Sequence, residues 1–391
     1  MKHYKYLIVG GGLTGDAAVR GIRELDSKGS IGMFSTESNP PYTRPNLSKG
    51  LWKGRPLEKI WRNTQEFDIE MHLERKITHL DTVEKCVSDE AGEEYSFDKL
   101  LLATGGSPIR LPIESDDIIY FRDLQDYQHL RALSERGEQF LVIGGGFIGS
   151  EIAAALTLVG KKVVMVFPEK AIGVRVFPTD LSNHLNDYYR RKGVEVVTGD
   201  SVADVQKNGD RFTVRTRNGR LFEVDGVVAG IGIRPNLELA QASGLQVENG
   251  IIVDDRLLTS APDVFAAGDV ANFFQPALGK RVRVEHEDNA IQMGRLAGRN
   301  MAGAEEAYTH LPMFYSDLFE LGYEAVGEIS SKMDTVIDWQ DPFKKGTIYY
   351  LENGRVRGVL LWNIWDQMKN ARALIAEAGP FQEADLKGRL S

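Results

Sequence analysis

The chain has 391 residues, is 42% hydrophobic and carries a formal net charge of -9 at pH 7. This length predicts two or three domains with sizeable cores, and the negative charge argues against general nucleic-acid binding. No apolar run reaches the roughly 18 residues that span a bilayer, and MKHYKYLIVGGG lacks the regions of a secretory signal. We therefore expect a cytoplasmic enzyme that binds neither nucleic acid nor a membrane.

Cys86 is the only cysteine, so one chain has no internal disulfide and no C-x-x-C dithiol. It lies in EKCVSDEAGE, which reads as a strand that runs into a charged turn. Neither a base nor a glycine-rich helix start stands beside it to activate the thiol. We expect a structural role for Cys86.

The first elements in chain order are a strand at 6–9, a helix at 15–25 and a strand at 30–35. This order is typical of a parallel, doubly wound sheet. A second strand, helix and strand follow within residues 116–248, and IIVDDRLLTSAPDVFAAGDVAN then resembles a return to the first sheet. The pattern predicts one nucleotide-binding domain inserted in another.

Two glycine-rich turns, LIVGGGLTGDA and LVIGGGFIGSE, each connect a strand to a helix. In a G-x-G-x-x-G turn, the first glycine permits the tight turn, the second lets the backbone approach a pyrophosphate, and the third allows close helix packing. The helix N-terminus offers N–H groups and a favourable dipole to the phosphates. The motif glycines are Gly10, Gly12 and Gly15 in the first copy and Gly144, Gly146 and Gly149 in the second. We predict two dinucleotide sites.

An acidic residue follows the second strand of each unit, Glu37 in the first and Glu169 in the second. A carboxylate there accepts hydrogen bonds from ribose hydroxyls and repels a 2'-phosphate, so Glu169 favours NAD over NADP. Lys170 and Arg175 stand close to Glu169 and oppose that preference. For Glu37 the alternatives are a solvated loop acid, or Thr36 as the ribose-binding position.

Residues 39–50, NPPYTRPNLSKG, contain prolines that forbid regular structure at the start, and we predict a loop over a bound ligand. After residue 306 the pattern changes to short strands with a hairpin signal at ENGR and a closing helix, WDQMKNARALIAEAG. We expect Trp362 and Trp365 to be core residues of a small α+β domain. The predicted domains are 1–115 with 249–305, 116–248, and 306–391.

The motifs GGGLTG, PYTRPNLSK, LLLATGG, GGGFIGSE, GIGIRPN and VFAAGDVA, in this order, resemble the FAD-dependent pyridine nucleotide-disulfide oxidoreductase superfamily. The resemblance covers essentially the whole chain. It implies an α/β fold of the glutathione-reductase type, with two Rossmann-like domains for FAD and NAD(H) and a small C-terminal α+β domain.

PYTRPNLSK has no cysteine where the disulfide reductases, NADH peroxidases and coenzyme A disulfide reductases place theirs, which disfavours those activities. The cysteine-free pattern is similar to ferredoxin reductases of oxygenase systems and to the apoptosis-inducing factor branch. FPEK, VEHEDNAIQMGRLAGRNMAG, MFYSDLFELGYEAVGEI and LLWNIWDQMKNAR favour the latter.

The resemblance also implies residues for each cofactor. The residues implied for FAD are Gly10, Gly12, Leu13, Thr14, Gly15, Glu37, Arg44, Lys49, Ala103, Thr104, Gly105, Asp269, Glu285, His286 and Tyr315. The residues implied for NAD are Gly144, Gly146, Phe147, Ile148, Gly149, Glu151, Glu169 and Gly232.

Four of these are implied to act on the reaction through orientation and electrostatics, since the cofactors supply the chemistry. Lys49 is similar to the lysine at the flavin N5 edge, with Glu151 as its partner. Phe147 either covers the flavin face that nicotinamide occupies or only packs, and His286 either stabilises the reduced flavin or is structural. Tyr315 departs from the usual tryptophan and could stack on flavin or on a second nicotinamide.

The predicted activity is that of an FAD-dependent NADH oxidoreductase with an acceptor that the sequence does not identify: a ferredoxin-type protein, a quinone, oxygen or a dye. The basic residues considered for docking a ferredoxin are Lys280, Arg281, Arg283, Lys344 and Lys345. The alternative resembles apoptosis-inducing factor: a redox sensor with a long-lived reduced flavin-NAD charge-transfer complex. In that case NADH would also change the oligomeric state, for example by forming a homodimer.

Overall fold

A computed structural model describes residues 1–113, 115 and 117–390. The chain divides into two compact units. Unit 1 comprises 1–44, 58–107 and 234–313, and unit 2 comprises 45–57, 108–233 and 314–391. Both units are discontinuous along the chain. The predicted three-domain boundaries stay a prediction, and Asp116 and Ser391, at two of them, lie outside the described residues.

The regular elements are named in chain order. The described helices are α1 (Leu13–Leu25), α2 (Leu124–Arg136), α3 (Phe147–Leu158), α4 (Thr179–Arg191), α5 (Glu238–Ala242), α6 (Glu287–Met301), α7 (Met368–Ala376) and α8 (Glu383–Leu386). The described strands are β1 (Lys2–Val9), β2 (Ile31–Phe34), β3 (Glu70–His72), β4 (Ile77–Asp81), β5 (Cys86–Asp89), β6 (Glu94–Leu102), β7 (Gly106–Pro108), β8 (Ile119–Tyr120), β9 (Gln139–Ile143), β10 (Lys162–Phe167), β11 (Val194–Thr198), β12 (Val202–Asn208), β13 (Arg211–Thr216), β14 (Leu221–Val224), β15 (Gly226–Ala229), β16 (Ile233–Pro235), β17 (Val247–Glu248), β18 (Gly250–Ile252), β19 (Val264–Ala266), β20 (Ala271–Gln275), β21 (Lys280–Val282), β22 (Met313–Leu318), β23 (Leu321–Gly327), β24 (Asp334–Asp341), β25 (Lys345–Glu352) and β26 (Arg355–Trp362).

The main sheet of unit 1 has the order β3-β2-β1-β6-β5-β4, with β19 also paired to β6. Strands β1, β2, β6 and β19 are parallel to their neighbours in this set, and Val9 lies opposite both Phe34 and Leu102. This register places the carboxyl ends of adjacent strands side by side, which is where α/β sheets bind ligands. Strand β1 begins at Lys2 and α1 at Leu13, earlier than the sequence pattern predicted.

Unit 2 repeats the arrangement with a parallel sheet of order β11-β10-β9-β15-β8. Ile143, the last residue of β9, lies opposite Val166 and Ala229. A second, antiparallel sheet contains β12, β13 and β14. The glycine turn after β9 therefore stands at the carboxyl edge of its sheet, as the turn after β1 does in unit 1.

The C-terminal sheet has the order β22-β23-β26-β25-β24. The hairpin predicted at ENGR is confirmed, because β25 and β26 pair across Asn353 and Gly354, whose φ angles are 52° and 73°. Trp362 is fully buried but ends β26 and does not lie in the closing helix. The prediction for Trp365 is wrong: its side chain is 48% exposed, since α7 begins only at Met368.

The predicted loop at 39–50 contains two short 3-10 turns, Arg44–Leu47 and Gly50–Lys53. Residues 45–57 belong to unit 2, although the residues on both sides of them in the chain belong to unit 1. Trp52 anchors this segment within unit 2: it is 5% exposed and its ring packs edge-on against Tyr127 at 5.6 Å.

Among the described residues, no helix is both long enough and apolar enough to cross a membrane.

Candidate functional site

The glycine turn of unit 1 is shaped by two close approaches. Gly10 has φ +134°, and a Cβ there would stand 2.1 Å from the Ala103 carbonyl oxygen. A Cβ on Gly15 would stand 2.2 Å from the Gly10 carbonyl oxygen. At Gly12, the N-cap of α1, an added Cβ would meet no described atom within 4 Å. The space that Gly12 leaves open is therefore at the helix N-terminus, where a pyrophosphate binds.

The turn of unit 2 has the same geometry. Gly144 has φ +118°, and a Cβ there would stand 2.4 Å from the Gly230 carbonyl oxygen, while one on Gly149 would stand 2.1 Å from the Gly144 carbonyl oxygen. Gly146 caps α3 and, in the part of the chain that the structure describes, a Cβ there would meet nothing within 4 Å. Both turns therefore leave open space at the second glycine of the motif, at the helix N-terminus, as a dinucleotide site requires.

Glu37 of unit 1 is held by two neighbours on the loop that follows β2. Its Oε1 lies 2.7 Å from an Arg44 guanidinium nitrogen, and its Oε2 accepts a 2.7 Å hydrogen bond from the Tyr42 hydroxyl. Burial alone would lower the pKa of Arg44, but its interactions with Tyr42, Glu37 and Asp269 outweigh burial and hold that pKa above its usual value. Arg44 is therefore a permanent cation among residues predicted to bind FAD.

The other predicted FAD residues of unit 1 gather around the ends of parallel strands. Thr14 touches the turn that carries Asp269, because a Cβ on Gly268 would stand 2.2 Å from the Thr14 Oγ1. The Thr104 Oγ1 donates a 2.8 Å hydrogen bond to the Asn236 carbonyl oxygen. Ala103 and Thr104 follow β6, and the Asp269 turn follows β19, which pairs with β6.

Four further predicted FAD residues also lie in unit 1. Leu13 is the first residue of α1 and is buried, and Gly105 has φ +64° after β6. Glu285 pairs with Arg283, whose guanidinium also donates to the Asp269 carbonyl oxygen at 3.0 Å. His286 is the N-cap residue of α6. Contact between these residues and a flavin stays a prediction.

Unit 2 brings together Lys49 and Glu151, which were predicted to be partners. The Lys49 Nζ lies 2.7 Å from the Glu151 Oε1, and the Glu151 side chain is 2% exposed. The hydroxyls of Ser48 and Ser316 each donate a 2.6 Å hydrogen bond, one to each carboxylate oxygen. Three donors therefore compensate the buried carboxylate. Breaking such a pair by removing one partner costs about 3–5 kcal/mol.

Two tyrosines stand near this carboxylate. Burial, followed by the charge of Glu151, raises the pKa of Tyr189 and of Tyr323 well above the usual value. The Tyr189 hydroxyl donates a 3.0 Å hydrogen bond to the Ser150 carbonyl oxygen. Both tyrosines are therefore neutral phenols, and the charges of the cluster are those of Lys49 and Glu151.

Phe147, the first residue of α3, lies in an aromatic group. Its ring centroid is 5.5 Å from that of Phe314 and 6.5 Å from that of Tyr323. The Lys49 Nζ lies 5.2 Å from the Tyr315 ring centroid, in cation–π geometry, and Tyr315 is 37% exposed. Both predicted aromatic site residues thus belong to the unit that holds the ion pair.

The remaining predicted NAD residues surround the turn of unit 2. Glu169 follows β10, and its Oε1 lies 2.6 Å from an Arg175 guanidinium nitrogen that is itself largely exposed. Ile148 on α3 is 38% exposed. Gly232 follows β15 with φ +103°, and its carbonyl accepts a 2.9 Å hydrogen bond from the Ile109 N–H.

A family model described as pyridine nucleotide-disulphide oxidoreductase matches residues 4–294, which is more than half of the chain. The chain belongs to this family. A second model, described as the C-terminal region of mitochondrion-associated apoptosis-inducing factor, matches residues 297–340 and 337–377.

Among curated members of the family, apoptosis-inducing factor 1, mitochondrial, of Dictyostelium discoideum is 34% identical over 96% of this chain and 79% of its own. Monodehydroascorbate reductase 3 of Arabidopsis thaliana is 33% identical over 98% and 95%. The solved covalent complex of putidaredoxin reductase with putidaredoxin is similar in fold, with a TM-score of 0.91 and 28% identity over 98% and 95%.

Membership of the pyridine nucleotide-disulphide oxidoreductase family, together with the two glycine turns, makes the chain an FAD-dependent pyridine nucleotide oxidoreductase. The predicted recognition, fold class and cofactors are confirmed. FAD and NAD(P)H are its cofactors.

Two residues of the ion-pair cluster, Ser48 and Ser316, were not predicted from the sequence. Both had a local signal, since Ser48 directly precedes Lys49 and Ser316 directly follows Tyr315. Their hydrogen bonds to Glu151 join positions 103 and 165 residues apart, which no local pattern predicts. Cys86 is partly exposed at the start of β5, and burial raises the pKa of its thiol, which fits the structural role expected for it.

Proposed function

We propose that this protein oxidises NADH and passes the electrons, through FAD, to a small one-electron acceptor protein of the ferredoxin type. The observation that carries the proposal is the Lys49–Glu151 pair, buried in the same unit as the second dinucleotide turn. FAD, when bound, takes the hydride of NADH and returns the two electrons to the acceptor. The protein supplies binding, orientation and charge.

Unit 1 provides the proposed FAD residues. The N–H groups at the start of α1, made accessible by Gly12, bind the pyrophosphate. Glu37 would accept hydrogen bonds from the adenosine ribose, and Arg44 pairs with that carboxylate. Asp269 would bind the ribityl or pyrophosphate portion, and His286 would supply a donor or positive charge beside the flavin. These assignments follow the residues expected from the family.

Unit 2 provides the proposed residues for NADH and for the reacting atoms. Lys49 would orient the flavin at its N5 edge, and Glu151 fixes the position of Lys49 through the 2.7 Å ion pair. Phe147, the first residue of the helix whose N-terminus would receive the pyrophosphate, would be the gate that nicotinamide displaces. Tyr315 carries the Lys49 ammonium on its ring face, so stacking of Tyr315 on a cofactor also orients Lys49.

The nature of the acceptor rests on two comparisons. Similarity to a reductase solved together with putidaredoxin supports a protein acceptor, and the monodehydroascorbate reductase relative supports a small-molecule radical. Among the basic residues considered for docking, Arg281 and Arg283 donate hydrogen bonds to carbonyls of unit 1. Lys280, Arg281, Lys344 and Lys345 are exposed. We favour an acidic two-iron ferredoxin at an exposed basic position.

A direct test compares acceptors under anaerobic conditions. With NADH as reductant, we expect reduction of two-iron ferredoxins to be faster than that of monodehydroascorbate or menadione, when each is supplied at the same concentration. The measurement is the initial rate of NADH oxidation. If monodehydroascorbate were reduced faster than every ferredoxin, the proposal of a ferredoxin-type acceptor would be wrong.

The preference for NADH is tested at Glu169. In Glu169→Gln we expect the ratio of kcat/KM for NADH over NADPH to fall by about tenfold, or about 1.4 kcal/mol, because repulsion of the 2'-phosphate disappears and Arg175 is freed to attract it. Glu195→Gln is the matched control, since Glu195 also pairs with an exposed arginine of unit 2, Arg220. An unchanged ratio in Glu169→Gln would mean that another group reads the ribose.

A second function is favoured by the match of residues 297–377 to the C-terminal region of apoptosis-inducing factor. In this alternative, NADH reduces the protein slowly, the product complex persists, and the oligomeric state changes. The observable difference is the lifetime of the long-wavelength charge-transfer absorbance, together with sedimentation in the presence of NADH. Rapid reoxidation by an acceptor, with no change in sedimentation, would exclude it.

A further inference from the structure

A second buried carboxylate lies in unit 1, and the residues expected for FAD do not include it. Asp16 is in the first turn of α1 and is fully buried. Its N–H donates a 3.0 Å hydrogen bond to the carbonyl oxygen of Gly12, the N-cap of that helix. A charged side chain is rarely buried unless its neighbours compensate it. The partners of Asp16 therefore identify what it holds in place.

Among the described residues, three side chains donate to the Asp16 carboxylate. The Arg20 Nε lies 3.0 Å and the Arg62 Nε 2.8 Å from Oδ2, and the Thr64 hydroxyl donates a 2.8 Å hydrogen bond to Oδ1. Arg20 is one turn further along the same helix, whereas Arg62 and Thr64 lie 46 and 48 residues away in the sequence. Arg20 also donates a 2.5 Å hydrogen bond to the Arg62 carbonyl oxygen. Asp16 thus fastens a distant segment of unit 1 to the start of α1.

That segment determines the position of Tyr42. Two backbone hydrogen bonds, of 2.8 Å and 2.9 Å, join residues 41–43 to residues 60–62. Tyr42 lies between these bonds in an antiparallel bridge with Trp61, and the two rings meet edge-on with their centroids 6.1 Å apart. The backbone that carries Tyr42 is therefore paired with the segment that Asp16 fastens.

Tyr42 completes the connection to the acid proposed to bind the adenosine ribose of FAD. Its hydroxyl donates a 2.7 Å hydrogen bond to the Glu37 Oε2, and Arg44, two residues further on, lies 2.7 Å from the Glu37 Oε1. The contacts of Asp16 thus begin at Gly12, in the proposed pyrophosphate turn, and lead through the paired segments to Glu37. All of these residues belong to unit 1.

We propose that Asp16 is a positioning residue for FAD, which fixes the Glu37 carboxylate relative to the pyrophosphate turn. The inference rests on the proposed contact between Glu37 and the adenosine ribose. Asp16 itself does not touch the cofactor and acts through Arg62, Tyr42 and Glu37. Placement matters because a hydrogen bond weakens steeply as its distance and angle depart from the preferred range.

The charges of the cluster separate this role from a purely electrostatic one. Asp16 alone would repel a pyrophosphate, but two guanidiniums, those of Arg20 and Arg62, oppose its one carboxylate. Removing the Asp16 charge would leave more positive charge at the helix N-terminus and would favour every dinucleotide equally. A positioning role instead predicts that recognition of the ribose is weakened.

The test is a competition between two flavins for the holoenzyme. The protein is equilibrated with equal excess concentrations of FAD and of an FAD analogue that lacks the adenosine 2'-hydroxyl, and the two bound flavins are released and quantified by chromatography. Their ratio reports recognition of the ribose and is independent of a general loss of flavin affinity. We expect the wild type to prefer FAD by about tenfold, as one hydrogen bond to a charged group allows.

In Asp16→Asn we expect this preference to fall by at least about threefold, because an amide provides one acceptor oxygen for three donors and releases residues 60–62. Asp89→Asn is the matched control. The Asp89 side chain is also fully buried in unit 1 and lies 3.2 Å from Arg75, but it otherwise accepts from the backbone of the turn at 91–93. Both variants are expected to unfold at a lower temperature, while the flavin preference of Asp89→Asn stays at the wild-type value.

Two further variants make the result independent of the folding of Asp16→Asn. Thr64→Val removes one donor to Asp16 with little change of shape, and its preference is expected to fall in the same direction. Glu37→Ala removes the proposed ribose contact and sets the lower limit of the preference. Adding Asp16→Asn to Glu37→Ala is expected to lower the preference no further, since Asp16 acts through Glu37.

The outcomes separate the two proposals without NADH or an electron acceptor. If Glu37→Ala loses the preference but every flavin-binding variant of Asp16 and Thr64 keeps it, the positioning role is overturned and the ribose contact stands. An equal fall in Asp16→Asn and Asp89→Asn also overturns the positioning role, because any buried carboxylate would then have the same effect. A wild-type preference in Glu37→Ala overturns the ribose contact and the positioning role together.

Discussion

Replacing Gly10 with alanine is expected to yield a protein that purifies without FAD. At φ +134° an alanine is strained by about 1–2 kcal/mol, and its Cβ would stand 2.1 Å from the Ala103 carbonyl oxygen, so β1 and β6 must separate at the site where the cofactor binds. In Gly144→Ala we expect FAD to be retained and NADH-dependent reduction to be lost, because the equivalent clash is with Gly230 in unit 2. The measurements are the visible absorbance of bound flavin and its bleaching by NADH.

Gly92→Ala is the control for this pair. Gly92 also has a positive φ, +81°, but among the described residues a Cβ there would meet nothing within 4 Å. Gly92→Ala therefore measures the effect of strain at a positive φ without a steric clash. We expect both its FAD content and its reduction by NADH to match the wild type. FAD loss in Gly144→Ala with retention in Gly10→Ala would mean that the two turns are assigned to the wrong cofactors.

Replacing Glu151 with alanine is expected to slow reduction by NADH by about a hundredfold while leaving FAD bound. The change removes the ion pair and leaves the Lys49 ammonium and the Ser48 and Ser316 hydroxyls without their shared acceptor, so Lys49 no longer has a fixed position. The measurement is the single-turnover rate under anaerobic conditions, combined with the FAD content of the purified protein.

The matched control is Glu135→Ala. The Glu135 carboxylate is 70% exposed and lies 3.8 Å from Arg131 on the surface of α2, where a salt bridge contributes little. Its reduction rate should equal that of the wild type. If Glu151→Ala reduced as fast as Glu135→Ala, the buried pair would have no role in orienting the reacting groups. Loss of FAD from Glu151→Ala would mean that the pair is needed to retain the cofactor.

The features of the fold that could be predicted from the sequence are those with a local physical cause. Both glycine turns were predicted because a tight turn and a close backbone approach leave only glycine acceptable, and the structure has these approaches at Gly10 and Gly144. The hairpin at Asn353 and Gly354 follows from the same preference for positive φ. The Lys49–Glu151 pair came from the family resemblance, and the structure places the two side chains 2.7 Å apart.

The features that could not be predicted from the sequence depend on contacts between segments that are distant along the chain. No local rule connects Ser48 or Ser316 to Glu151, or assigns residues 45–57 to unit 2. Trp365 was expected in the core because the closing helix was predicted to begin there, yet the helix begins three residues later and the side chain is 48% exposed. The amino-acid pattern alone does not determine whether a tryptophan at a helix start lies inside the helix and is buried, or precedes the helix and is exposed.

The most direct test of the central claim is an anaerobic stopped-flow experiment in two mixing steps. The purified protein is first mixed with one equivalent of NADH and then with a two-iron ferredoxin, while flavin absorbance and the long-wavelength charge-transfer band are followed. We expect fast bleaching, followed by return of the oxidised spectrum as two ferredoxins are reduced per NADH. A charge-transfer band that persists after ferredoxin is added, with no ferredoxin reduced, would contradict the proposed electron transfer and favour the sensor.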